Sequence, residues 1–131
     1  MAEGMTISGL DELLANANAL PNRVREVSRG IARRTALQIQ GRAQANLLAR
    51  TKGTGDTARA ITVTEDVAGQ QFVVESKAPP RKPANLPAWL EFGTVKMSPK
   101  RYMRDAEQAE RAAYLRDMEQ AIVAVVREAI E

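Results

Sequence analysis

Residues 61–76, ITVTEDVAGQQFVVES, decide the fold class, because here the chain changes its period. Ile61 and Val63 alternate with Thr62 and Thr64, and Phe72 and Val74 alternate with Val73 and Glu75. A repeat of two places successive side chains on opposite faces of a strand. Asp66 to Gln70, which contains Gly69, supplies a turn between the two runs. The stretch therefore predicts a hairpin with one buried face. The long segments on either side follow the helical period of about 3.6 instead. That combination is α+β.

Upstream, the pattern from Asn22 to about Arg50 is helical. Val24, Val27 and Ile31 form one stripe, and Ala32, Ala36, Ile39, Ala43 and Leu47 form a second, rotated from the first. Such drift fits a long helix that packs on different partners along its length. Before it, Ser8 followed by Asp11 and Glu12 reads as an N-cap and acidic first turn, with Leu10, Leu13, Leu14 and Ala17 at helical spacing. Pro21 either stops that short helix or opens the next one at its first position. Thr51 to Asp56 reads as a flexible break.

Downstream, Lys77 to Pro87 packs four Pro and three cations into eleven residues. Neither a helix nor a central strand accommodates that composition, so an extended arm is predicted. A brief helical turn, Ala88 to Phe92, then ends at Gly93, a natural residue just past a helix terminus. After Ser98 and Pro99 a long helix runs to the C-terminus, burying Tyr114, Met118, Ala121, Ile122, Val125 and Ala129. Glu107 and Arg111 pair on its outside at i, i+4. No internal repeat interrupts this order, and residues 1–131 read as one domain with an arm at about 77–87.

Composition narrows the chemistry. With no His and no Cys, the commonest general base, the commonest nucleophilic thiol and the commonest zinc ligands are missing. Adjacent acids such as Glu65–Asp66 lack the setting of a hydrolase or metal site. The Gly, Lys and Thr of residues 51–57 lack phosphate-loop spacing. A protein without enzymatic activity, cofactor or metal is expected. No apolar run of about 18 residues is present, so no membrane span or membrane partner is expected. The first residues lack a secretion-signal layout, which points to synthesis in a cytoplasm. An aromatic content of 4% leaves Ala, Val, Ile and Leu to fill the core. That core buries little area per residue, and association with further copies is one remedy.

Charge is unevenly spread within a net +3. Residues 21–50 hold seven Arg against Glu26 alone, whereas residues 105–131 hold seven acids against three Arg. Opposite charge on two helices suits head-to-tail packing between neighbouring subunits, or simply two solvated faces. Arg25, Arg29 and Arg33 recur at i, i+4. They read first as a face toward water or a neighbour's acids, and second as a weak, sequence-independent contact with DNA phosphates. Trp89, Leu90 and Phe92 read as the main aromatic plug of the core, with Glu91 and Lys96 placed to pair across the following turn.

The segment Leu90-Glu-Phe-Gly-Thr-Val-Lys-Met97 with Arg101-Tyr-Met-Arg-Asp-Ala106 resembles the "EFGT…M…RPFLRPA" signature of the tail-completion, or minor tail, family of long-tailed bacteriophages. Ile7-Ser-Gly-Leu-Asp-Glu-Leu13 is similar to the family's opening segment, and Thr54 to Ile61 to its approach to the first strand. Arg101 and Asp105 stand where the family usually has Pro, and Tyr102 stands for Phe. The resemblance implies a structural virion protein of the neck, assembled in the host cytoplasm. It would form a ring, usually a hexamer, joining or completing the tail at the head–tail interface. Its implied partners are itself, the adjacent head-closure and tail-terminator or tube proteins, and genomic DNA passing non-specifically through the lumen. Trp89, Leu90, Glu91, Phe92, Gly93 and Thr94 would serve the turn and assembly, and Arg25, Arg29 and Arg33 subunit or channel contacts. Arg81 and Lys82 would carry the arm to a partner. A second reading is a small nucleic-acid-binding protein that uses the Arg-rich helix at 22–50.

Overall fold

The computed structural model describes residues 10–52, 55–66 and 71–130, with side chains from residue 19 onward. Helix α1 spans Leu10–Arg50, the short helix α2 Gly55–Arg59, strand β1 Ile61–Asp66 and strand β2 Gln71–Ser76. Helix α3 follows at Leu86–Phe92 and helix α4 at Tyr102–Ile130. The α+β order holds, with one correction at the N-terminus. Pro21 lies inside α1 and neither stops nor starts a helix. A helix interior loses one hydrogen bond and gains a clash at Pro, a cost of about 3 kcal/mol, and here the 41-residue helix runs through it. The N-cap reading at Ser8 lies outside the described residues. Helix α2 went unforeseen. Its Thr57 and Ala58 are buried, so residues 55–59 are a packed turn and not part of a loose break.

The two strands pair antiparallel, with Ile61 opposite Ser76, Val63 opposite Val74 and Asp66 opposite Gln71. In β2 the alternation is clean: Phe72, Val74 and Ser76 are turned inward and Val73 and Glu75 outward. The turn residues 67–70 lie outside the described residues. The sheet rests on α1, and Gln40 Nε2 donates to the Ile61 carbonyl at 2.8 Å, fixing the start of β1 against the helix.

Helices α1 and α4 pack antiparallel along their lengths, and their charges show the register. Arg23 pairs with Glu128, Arg34 with Asp117, Arg42 with Glu110 and Arg50 with Asp105. As the number rises on one helix it falls on the other. The opposed charges read in the sequence as a link between subunits are thus largely neutralised within one chain. Exposed pairs of this kind contribute less than about 1 kcal/mol each, so they set register more than stability. Glu110 is the exception. It is buried and accepts from Arg42, so losing that arginine would strand a desolvated carboxylate.

The core gathers where α1, α2, β1, α3 and the start of α4 converge: Ala43, Leu47, Ala58, Ile61, Leu90, Tyr102 and Ala106. Three of its seven members are Ala, as the composition implied. Farther along α4, Val125 is buried, and Tyr114, Met118, Ala121, Ile122 and Ala129 are half-buried on the face read from the sequence.

Candidate functional site

The junction from α3 to α4 is the most constrained part of the chain, and Tyr102 is its centre. Tyr102 is fully buried. Its hydroxyl lies 2.7 Å from Ser76 Oγ and donates to the Pro87 carbonyl at 3.3 Å. One phenol therefore ties the end of β2, the start of α3 and the first turn of α4. Burial pushes its pKa up, the Ser76 hydrogen bond pulls it down, and the nearby Glu91 carboxylate pushes it up, the sum being a rise. The aromatic plug expected at Trp89, Leu90 and Phe92 is thus corrected. Leu90 is buried, but Trp89 is 40% exposed and Phe92 77% exposed. Three-residue spacing does put Trp89 and Phe92 on one face of α3. That face is the outer one, because Leu86, Pro87, Leu90 and Glu91 occupy the inner one.

Glu91 has a structural task that its charge hides in the sequence. It is buried, and its two oxygens accept from the backbone amides of Met103 at 2.7 Å and Arg104 at 3.3 Å. Those amides are among the first of α4, which have no partner inside the helix. Glu91 is thus a cap supplied from another element, with its negative charge at the positive end of a 29-residue helix. The pairing with Lys96 expected from sequence does not form. Glu91→Ala is expected to lower stability by about 2 kcal/mol, and Glu91→Gln by about half of that, in urea unfolding. An unchanged midpoint for the Ala variant would show that water serves these amides equally well.

The turn between the helices is held by backbone bonds on every side. Gly93 N donates to the Trp89 carbonyl at 2.8 Å, and Lys100 N and Arg101 N donate to the Leu90 and Glu91 carbonyls at 2.8 and 3.2 Å. Thr94 and Met97 exchange amide bonds of 2.8 and 3.2 Å, and Thr94 Oγ1 accepts from Lys96 N. Gly93 takes φ +80°, and Arg101 turns the chain into α4 at φ +48°. At the tip Val95 is wholly exposed. A rigid backbone therefore presents Trp89, Phe92 and Val95 to solvent.

The other residues singled out in the sequence do not converge here. Arg29 pairs with Glu65 of β1 in the same chain. Arg25 and Arg33 are exposed and form no ion pair among the described residues. The arm is anchored more than its Pro content implied. Pro79 and Pro87 are buried, Lys77 N donates to the Ala60 carbonyl, and Pro87 belongs to α3. Only its tip stands out, with Arg81 and Lys82 exposed and Arg81 at φ +67°.

No family model, no curated protein and no solved structure matches this chain. Among the described residues no group of three or more His, Cys, Asp or Glu is placed to hold a metal ion. No described helix is long and apolar enough to cross a membrane. An open groove of about 530 Å³ lies between α1 and the hairpin, with Val24 and Phe72 in its wall and Arg29 and Glu65 paired across it. Sequence reasoning missed Tyr102 as the centre of the core. The available signal was its place three residues after Pro99, at the first position of the helix that follows, where a first-turn aromatic can fold back on the preceding elements.

Proposed function

We propose that this chain is a structural subunit of the neck of a long-tailed bacteriophage particle, a ring protein that completes the tail at the head–tail joint. The observation that carries the assembly part is a second apolar face on α4. Leu115, Val123, Val126 and Ile130 are 59%, 42%, 39% and 68% exposed. At about 100° per residue they fall within an arc of about 80°, which adjoins the face packed on α1 at Ile122 and lies outside it. Large apolar side chains aligned on an exposed stripe mark a surface made for another protein. A subunit with a small Ala-rich core and an uncovered helix face is suited to contact its copies, and closed rotational symmetry turns such contacts into a ring. The phage part rests on the resemblance of residues 90–106. In this fold the Glu91, Gly93 and Thr94 of that segment cap, bend and brace the junction, roles that a shared signature would preserve.

The chain would then act without catalysis, beside head-closure and tail-terminator or tube proteins, in the virion neck. The test is a reconstruction of particles encoded with this gene. Six copies in a ring at the head–tail joint, with α4 stripes at the subunit boundaries, are expected. A single copy there, or none, sinks the proposal.

A further inference from the structure

The ion pairs leave a charge asymmetry that composition conceals. Most arginines of α1 are neutralised by acids of α4 and β1. The α3–α4 end is different. Arg81, Lys82, Lys96, Arg101 and Arg104 form no ion pair among the described residues, and neither do Lys52 and Lys100, which line one shallow pocket at this end. Between residues 81 and 104 the one acid is Glu91, and it is buried and committed to backbone amides. Asp105, in the first turn of α4, is a further acid at this end, and it is paired with Arg50. Into this end, where cations outnumber acids, project Trp89 and Phe92, on a backbone fixed by the bonds of the turn.

We infer that the α3–α4 end binds nucleic acid without sequence preference, its cations on phosphodiesters and Trp89 and Phe92 against unpaired bases. Cations unopposed by acids release counterions when they meet a phosphate chain. Exposed aromatic rings beside them supply stacking faces that accept any base, the combination used on single strands. An acidic protein is a poorer fit. Protein interfaces bury their aromatic anchors in a central, charge-depleted patch with a polar rim, whereas here unpaired cations lie on the arm tip, the turn and the start of α4, in the same segments that carry the exposed rings. The surface is distinct from α1, where the sequence placed its nucleic-acid alternative, and it does not depend on the neck proposal.

The experiment is titration of the full chain with a 20-nucleotide oligothymidylate and with a duplex of equal length, followed by fluorescence of Trp89, the only tryptophan. Oligothymidylate is expected to quench Trp89, with affinity falling about 30-fold or more between about 50 and 200 mM salt, as for three to four phosphate contacts. The double variant Lys96→Glu, Arg104→Glu should weaken binding at least about ten-fold. Phe92→Ala should weaken it several-fold, while Arg25→Glu, Arg33→Glu on α1 leaves it unchanged. Circular dichroism checks that each variant is folded. Absence of binding at low salt overturns the inference. So does loss of binding in the α1 variant alone, or duplex binding with no Trp89 quench, which would remove the stacking role. Salt-insensitive association that the charge variants leave intact would point to a protein surface and overturn it as well. None of these results bears on the position of the chain in a particle, which only the reconstruction reads.

Discussion

Tyr102→Ala is expected to leave the chain largely unfolded at room temperature, while Trp89→Ala melts within about 1 kcal/mol of the parent. Truncating a fully buried large aromatic costs about 3–5 kcal/mol, and small domains hold only about 5–15 kcal/mol in total. Tyr102 also carries hydrogen bonds to Ser76 and Pro87, so its loss leaves partners of two elements unpaired, each at about 1 kcal/mol or more. Tyr102→Phe separates these contributions. It keeps the ring and loses the hydroxyl, and should cost about 1–2 kcal/mol. The same hydroxyl gives a pH signature. Its pKa is raised in the folded state, so its contribution is complete below the unfolded value near 10 and is lost as pH rises from there through the folded value. The parent should therefore lose more stability above pH 10 than Tyr102→Phe does. Thermal melts of the four proteins at neutral and alkaline pH decide the matter. Equal melts for Tyr102→Ala and Trp89→Ala would mean the core does not centre on the α3–α4 junction.

The contrast between those two aromatics shows what can be read before folding. Period-two alternation at 61–64 and 72–75 located both strands, because a half-buried sheet face imposes its repeat directly on the residues. The inward stripe of α4 and the drift of apolar positions along α1 were legible for the same reason. Orientation was not. Trp89 and Phe92 share a face by spacing, yet spacing does not say whether that face is the inner one, and Leu90 and Pro87 took it. Charge left its partner open in the same way. Seven arginines on one segment and seven acids on another read as an attraction between subunits or as two solvated faces, and within the chain the α2–hairpin–α3 connection brings α4 back antiparallel to α1. The descending order of Glu128, Asp117, Glu110 and Asp105 against ascending Arg23, Arg34, Arg42 and Arg50 was present in the sequence as a register, though only the pairing of the helices turns it into one. Glu91 was legible as an acid and not as a cap, because its target amides at Met103 and Arg104 are twelve and thirteen residues away. Local capping patterns span only about three residues.

Gly93 tests whether the turn is as rigid as its bonds imply. At φ +80° and ψ 176° it occupies a backbone region reached essentially by Gly alone. A Cβ there would sit 2.7 Å from the Met97 carbonyl oxygen and 2.8 Å from Pro99 N. Both neighbours are backbone, and neither is free to shift. The Met97 carbonyl accepts from Thr94 N, and Pro99 leads straight into Lys100 and Arg101, whose amides close the last carbonyls of α3. Relieving the clash therefore means breaking bonds that join α3 to α4, beside the Glu91 cap. Gly93→Ala is expected to lose about 3 kcal/mol or more, strain and broken bonds together. Gly41 provides the control. It lies within α1, and an added Cβ there meets nothing within 4 Å. Gly41→Ala should stabilise the chain by about 0.5–1 kcal/mol through better helix propensity. Opposite shifts of the two melts, one sharply down and one slightly up, are the expected result. A parent-like melt for Gly93→Ala would show that the turn repacks without disturbing α4, and the rigid presentation of Trp89, Phe92 and Val95 would then have no physical basis.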